Sequence, residues 1–222
     1  MFKKVIILVL LFSSPFIIFS KKVTGEMSRH IEIYLEGKKI LEEGIKNKDG
    51  IAMEKAVDKF TEALRIYPRF VSAYMTRGKA YRYLGKLDLA IEDFTKAIEL
   101  EPKNAIAYSN RGVIYRVQRR YEEAMNDLNR AIEIDPKSPI PYDNRGVLYY
   151  KQKDYEKALK DFSHAIELDS GYASAYFNRG ITLKETGNEK KGIEDLKKGC
   201  ELGDELACSE AKQGQVRLVP QD

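Results

Sequence analysis

Charged and amide side chains recur along this sequence at a fixed interval of 34 residues. Arg77, Arg111, Arg145 and Arg179 each stand directly before a glycine. Asp93, Asp127, Asp161 and Asp195 each stand directly before a phenylalanine or leucine in the same four blocks. A guanidinium and a carboxylate repeated in step form bidentate ion pairs when packing brings them together. The bland alternative is that both face water, where each pair would contribute only about 0.2–1 kcal/mol. Asn110, Asn144 and Asn178 form a second ladder. An amide carries donor and acceptor together, so it can bond a peptide backbone without reading side chains. Its other use is to bond within the protein.

These residues do not make a catalytic set. A catalytic carboxylate pair occurs once, whereas these acids return in every block. His30 and His164, the two histidines, are far apart in the sequence. No G-x-S-x-G, phosphate-binding loop, dinucleotide fingerprint or H-E-x-x-H motif occurs. Cys200 and Cys208 are the two cysteines, and they bracket the turn "LGDE". Their spacing lets one helix end face the next helix start, where Cα atoms about 4.4–6.8 Å apart permit a disulfide. Two free thiols are the alternative. Without further ligands nearby, the pair does not make a metal site. The sequence therefore points to no enzyme, no cofactor and no metal.

What positions these groups is a repeat. "YSNRGVIY" at Tyr108 returns as "YDNRGVLY" at Tyr142 and "YFNRGITL" at Tyr176, after "YMTRGKAY" at Tyr74. A fixed period in this range marks stacked supersecondary units. Five blocks align: 37–70, 71–104, 105–138, 139–172 and 173–206. Each holds two segments with helical apolar spacing, separated by a short polar turn. In the second block the helices are expected over about 71–84 and 87–100. Gly85 suits a left-handed helix stop, and Pro68, Pro102 and Pro136 end each second helix. Ser138 before Pro139 reads as an N-cap with proline in the first turn. Residues 21–36 read as a linker or leading helix, and 207–222 as a short capping helix with a loose tail from Gln215.

The order Tyr74, Gly78, Tyr81, Ala90, Phe94, Ala97, Pro102 resembles the tetratricopeptide repeat. It recurs as Tyr108, Gly112, Tyr115, Ala124, Leu128, Ala131, Pro136, and then as Tyr142, Gly146, Tyr149, Ala158, Phe162, Ala165. The resemblance implies an all-α fold: a right-handed superhelical solenoid of antiparallel helix pairs, with about five repeats. Gly and Ala would let helix backbones approach closely, and the aromatics would fill the core around them. One such pair cannot bury its apolar face alone, so stability would come from stacking. The end copies depart from the pattern: Ile40 and Asn47 replace the aromatics of the first. Gly192 and Gly199 fill the two Ala slots of the last, where each should weaken the helix by up to about 1 kcal/mol.

The resemblance assigns roles as well. The Arg ladder stands where the family usually has leucine, and pairing with the Asp ladder across the helix–helix packing would be architectural. Asn110, Asn144 and Asn178 fall on the slot that often faces the family's concave groove. Val113, Val147, Ile181, Arg116 and Tyr150 would join them there. Some members clamp a chaperone's C-terminal carboxylate with basic residues. Those slots here hold Ser72, Met75, Ile106 and Ile140, so neither that clamp nor a cytosolic chaperone partner is expected. The Cys-(seven residues)-Cys bracket is similar to disulfide-linked helical repeats of cysteine-rich secreted bacterial proteins.

The remaining expectations concern location and partners. "MFKKVIILVLLFSSPFIIFS" sets two lysines before an apolar run of about 15 residues, roughly 22 Å as a helix against a core of about 30 Å. That is the pattern of a secretory signal peptide, with a retained N-terminal anchor as the alternative. No A-x-A-like cleavage pattern precedes Lys21. Export to the periplasm or cell envelope is expected, with any membrane contact confined to this segment. The net charge is +4, or +2 without Lys3 and Lys4, and lacks the basic patch that nucleic acid requires. The function expected is a non-catalytic scaffold holding a protein or peptide partner in its groove. The alternatives are a self-associating structural protein and an accessory subunit that docks an enzyme.

Overall fold

A computed structural model describes residues 15–217. The expected segment 1–20 lies mostly outside the described residues, as does the tail from 218 onward. Eleven α-helices and no strand occur among the described residues. The chain divides after Leu84 into two compact units.

The first unit holds α1 (Pro15–Asn47), α2 (Gly50–Ile66) and α3 (Val71–Tyr83). α1 runs without a break at Gly37, so the leading segment and the first repeat helix are one helix. Asp49 caps α2 by accepting from the backbone N–H groups of Ile51 (2.9 Å) and Ala52 (3.2 Å), which satisfies two otherwise orphaned donors. Leu41, Met53, Ala56, Val57, Phe60 and Ala80 form this unit's buried core.

The second unit holds α4 (Leu87–Leu100), α5 (Ala105–Val117), α6 (Tyr121–Ile134), α7 (Pro139–Lys151) and α8 (Tyr155–Leu168). It continues with α9 (Ala173–Glu185), α10 (Glu189–Glu201) and α11 (Glu205–Arg217). Helices adjacent in sequence pack on one another from α4 to α11, apart from the next-neighbour contacts α5–α7 and α7–α9. Asn104 caps α5 through the N–H of Ala107 at 3.0 Å. Ser138 occupies the N-cap position of α7 with extended backbone, as expected, although its side chain makes no cap bond. Pro139 in the first turn, whose missing N–H is one orphan fewer, already suits the helix start.

The turn inside each repeat needs one residue with positive φ. Lys48 (54°) supplies it in the first repeat, and Gly85 (73°) and Gly187 (82°) in the second and fifth. Arg119 (61°) and Lys153 (63°) hold the same place between them, a conformation that costs a non-glycine residue roughly 1–2 kcal/mol. Close packing explains the glycines inside the helices. A Cβ built on Gly146 would lie 2.6–3.0 Å from the Phe162 ring, so α7 and α8 could not keep their separation with any side chain there.

Candidate functional site

The Arg and Asp ladders meet within the second unit. Arg111 donates from Nε and Nη2 to the two oxygens of Asp127, both at 2.8 Å. Arg145 does the same to Asp161 at 2.8 and 2.9 Å, and Arg179 to Asp195 at 2.7 and 2.8 Å. The three carboxylate side chains are at most 12 % exposed, so the alternative in which both groups face water does not describe them. Hydrogen bonding to the carboxylate raises each guanidinium pKa further. Arg77 belongs to the first unit and Asp93, which is buried, to the second.

Each arginine also has a third contact that the sequence did not signal. Nη1 of Arg111 donates to Thr95 (2.9 Å), that of Arg145 to Asn129 (2.8 Å) and that of Arg179 to Ser163 (3.2 Å). In the first unit, Arg77 donates to Thr61 at 2.9 Å. The acceptor lies on the second helix of the preceding repeat, so one guanidinium ties two repeats together. A small polar residue after each Phe or Leu of the second helix was the available signal. Tyrosine rings flank the guanidinium planes, with Arg111 Cζ 5.7 Å from the centroids of both Tyr108 and Tyr115.

The Asn ladder lies on α5, α7 and α9, which follow one another as first helices of their repeats. Two of its members bond within the protein. Asn144 donates from Nδ2 to Ser109 Oγ at 3.3 Å, and Asn178 to Asp143 Oδ1 at 2.8 Å. Each amide therefore reaches back 35 residues to the preceding repeat. Asn110 Nδ2 is buried and has no hydrogen-bond partner, and Arg116 Nε on the same helix is in the same condition. A buried donor without an acceptor costs about 1–3 kcal/mol.

Beyond the amides, Val147, Tyr150, Phe177, Asn178 and Ile181 line a pocket of about 300 Å³ between α7 and α9. It therefore joins four residues expected in the groove, Asn178, Val147, Tyr150 and Ile181, with Phe177, which was not expected. Val113 is half-buried on α5, one helix away, at the same repeat position as Val147 and Ile181.

Asp143 is the site residue that sequence reasoning missed. Its slot holds Met75, Ser109 and Phe177 in the other repeats, so no periodic signal marks it. The carboxyl is 5 % exposed, and burial pushes its pKa up to about 6, against the opposing pull of the Asn178 bond and the Arg116 charge. Tyr172 hydrogen-bonds it, and burial followed by the Asp143 charge raises that phenol's pKa. Burial also lowers the Arg116 pKa, partly offset by Asp143.

This arrangement fixes a sign. Asp143 holds its proton in the folded state up to about pH 6, while the unfolded chain releases it near the ordinary carboxylate value. Between those limits the folded state binds more protons, so this group's stabilisation is full at low pH and is lost as pH rises through about 6. Acidification from about pH 7 to about pH 5 should thus return about 1 kcal/mol through this residue. In Asp143→Asn that part of the pH dependence should vanish, while the amide oxygen still accepts from Asn178. Urea unfolding of both proteins at about pH 5, 6 and 7 measures the difference. Parallel curves would disprove the role.

The second unit ends in a linked hairpin. Cys200 on α10 and Cys208 on α11 are joined by a disulfide with a Cα–Cα distance of 4.5 Å. Closing so short a loop is worth about 2 kcal/mol in the chain-entropy account. α11 starts at Glu205, two residues before the expected boundary, and seats Ala207 and Ala211 against Leu196 beside Phe177 and Ile181. Lys184 and Glu210 add an ion pair at 3.5 Å. His164 faces Tyr142 (4.5 Å) and Glu167 (3.2 Å) in the second unit. His30 packs on Tyr67 and Phe70 in the first. Among the described residues no cluster of three His, Cys, Asp or Glu could hold a metal, and no helix is long and apolar enough to cross a membrane.

Comparison with known structures places this geometry. PilF of Pseudomonas aeruginosa superposes with a TM-score of 0.70 at 19% identity, over 87% of this chain and 92% of that one. TTC0263, a thermophilic TPR protein of Thermus thermophilus, gives 0.68 at 16% identity, over 81% and 99%. YrrB, described as a TPR protein with an unusual peptide-binding site, gives 0.54 at 23% identity, over 80% and 97%. At these identities the likeness concerns the fold. A search of curated proteins finds no match. Three family models described as tetratricopeptide repeat match residues 75–139, 112–175 and 173–202. The helix pairs, the Gly and Ala contacts and these matches agree: the chain belongs to the tetratricopeptide repeat family.

Proposed function

We propose that this protein is a non-catalytic scaffold that holds an extended segment of a protein partner along α5, α7 and α9. The observation that carries the reading is the pairing of orphaned donors with an apolar pocket on consecutive first helices. Asn110 Nδ2 and Arg116 Nε offer two N–H groups to backbone or side-chain oxygens. The pocket of Val147, Tyr150, Phe177 and Ile181 takes one bulky apolar side chain. Spaced anchors of this kind give affinity through burial and orientation through the polar groups. The peptide-binding site named for YrrB, which shares the fold, is consistent with such a use.

The proposal extends to location. An exported protein would meet an oxidising compartment, where a bridge such as Cys200–Cys208 persists, and the basic-then-apolar N-terminus fits an export signal or anchor. The scaffold would act in the cell envelope, touching the membrane only through that segment.

A peptide-display selection against the full chain tests the groove. Selected peptides should carry a bulky apolar residue, and Ile181→Asp should weaken their binding at least tenfold. Asn110→Ala should weaken it severalfold. Failure to select any sequence, or selected peptides indifferent to both changes, would overturn the groove reading.

A further inference from the structure

The arginine ladder contains one vacancy that its own repeats define. Arg77 lies 5.7 and 5.8 Å from the ring centroids of Tyr74 and Tyr81. Arg111 keeps 5.7 Å from Tyr108 and Tyr115. Arg145 keeps 5.6 and 5.9 Å from Tyr142 and Tyr149. Arg179 keeps the first ring, Tyr176, at 5.7 Å. In the place of the second ring stands Leu183.

The second cation of the ring site is retained. In the preceding repeat, Lys157 Nζ lies 5.5 Å from the Tyr149 centroid, so that ring has Arg145 and Lys157 as cationic neighbours. Thirty-four residues on from Lys157 is Lys191. Lys191, Arg179 and Leu183 line an open pocket of about 350 Å³, whose other walls include Leu159, Ser163 and Glu194. Two cations that elsewhere serve one aromatic ring thus border a space that lacks it. The ring quadrupole is what such a pair attracts, and a partly desolvated wall strengthens the attraction. Asn178 and Ile181 point from α9 into the other pocket, so this site is separate from the proposed peptide groove and does not depend on it.

We infer that the pocket between α8, α9 and α10 receives a tyrosine side chain of a partner protein, seated between Arg179 and Lys191 where Leu183 replaces the ladder's own ring. The occupant is specified by Tyr81, Tyr115 and Tyr149, which fill the equivalent place in the other repeats. Its ring edge would meet Leu159 and Leu183, and its face the two cations. Arg179 stays anchored by Asp195 and Ser163 throughout, so the site needs no rearrangement to accept a ring.

The test is titration of the full chain with N-acetyl-tyrosinamide, followed by NMR of the Leu159 and Leu183 methyls and the Arg179 Nε–H. Ring-current shifts at all three are expected, with at least tenfold weaker binding in Leu183→Tyr, which fills the space from within. Leu183→Phe should behave alike, and both variants should keep the parent's circular dichroism and unfolding temperature, so that loss of binding is not mistaken for misfolding. Lys191→Ala should weaken binding severalfold while leaving the fold unchanged. Silence at these groups, undiminished binding in both Leu183 variants, or equal shifts from N-acetyl-leucinamide would overturn the assignment.

Discussion

Asp161→Leu is expected to cost the second unit about 3 kcal/mol at neutral pH. The carboxylate takes two bonds from Arg145 at 2.8 and 2.9 Å, and its side chain is 7 % exposed. Without it, Arg145 keeps its bond to Asn129 and its two tyrosine neighbours. It loses the one anion that offset its desolvation. Removing one member of a buried pair typically costs about 3–5 kcal/mol, and the 20 % exposure of the arginine side chain sets the lower end here. Arg145→Leu should cost a comparable amount at neutral pH. The double variant should lie within about 1 kcal/mol of the parent, because two apolar side chains replace two desolvated charges. A double-mutant cycle by urea unfolding would then give a coupling of about 5 kcal/mol. Single variants that each cost under about 0.5 kcal/mol would show that the ladder is a solvated surface feature.

The difference between what could and could not be read from the sequence follows from what repeats. Arg111 and Asp127 could be matched because both charges return every 34 residues and an unpaired buried charge is costly. The helix phases were legible for the same reason, with Pro102 and Pro136 marking the stops. The acceptors Thr95, Asn129 and Ser163 were not, because three residue types share one geometric job. Asp143 was hidden for the opposite cause: it occurs once, in a slot held elsewhere by Met75, Ser109 and Phe177. Asn144 and Asn178 were open between two uses, and the choice turned on whether an acceptor stood 35 residues back. Arg119 and Lys153 show the limit of turn chemistry, since a left-handed backbone is read from glycine and these positions have none. Nothing in the periodic pattern marks the division after Leu84, which falls inside the second block.

Gly192→Ala is expected to destabilise the protein by about 2 kcal/mol, although helix propensity alone argues for a gain of about 1 kcal/mol. The other repeats carry alanine in this slot, at Ala90, Ala124 and Ala158. Here glycines face each other. A Cβ on Gly192 would lie 2.7 Å from the carbonyl oxygen of Gly180 and 2.8 Å from Lys184 Cγ. A Cβ on Gly180 would lie 2.9 Å from the carbonyl oxygen of Gly192. The lysine methylene can swing aside, but the carbonyl belongs to a packed helix and cannot yield without moving α9 relative to α10. By contrast, a Cβ on Gly112 would be 3.3 Å from the Ala124 carbonyl, which shows how much closer the last pair approaches. The glycines expected to weaken the last repeat thus permit the contact that sets Leu196 into the core shared with α11. Displacing α10 would disturb the Arg179–Asp195 pair and the wall of the ring pocket together, since Lys191, Glu194 and Asp195 all lie on that helix. Thermal unfolding of Gly192→Ala beside Ala158→Gly decides between the two accounts. If packing governs, both changes destabilise. If propensity governs, Gly192→Ala raises the unfolding temperature, and the close approach of α9 and α10 carries no energetic weight.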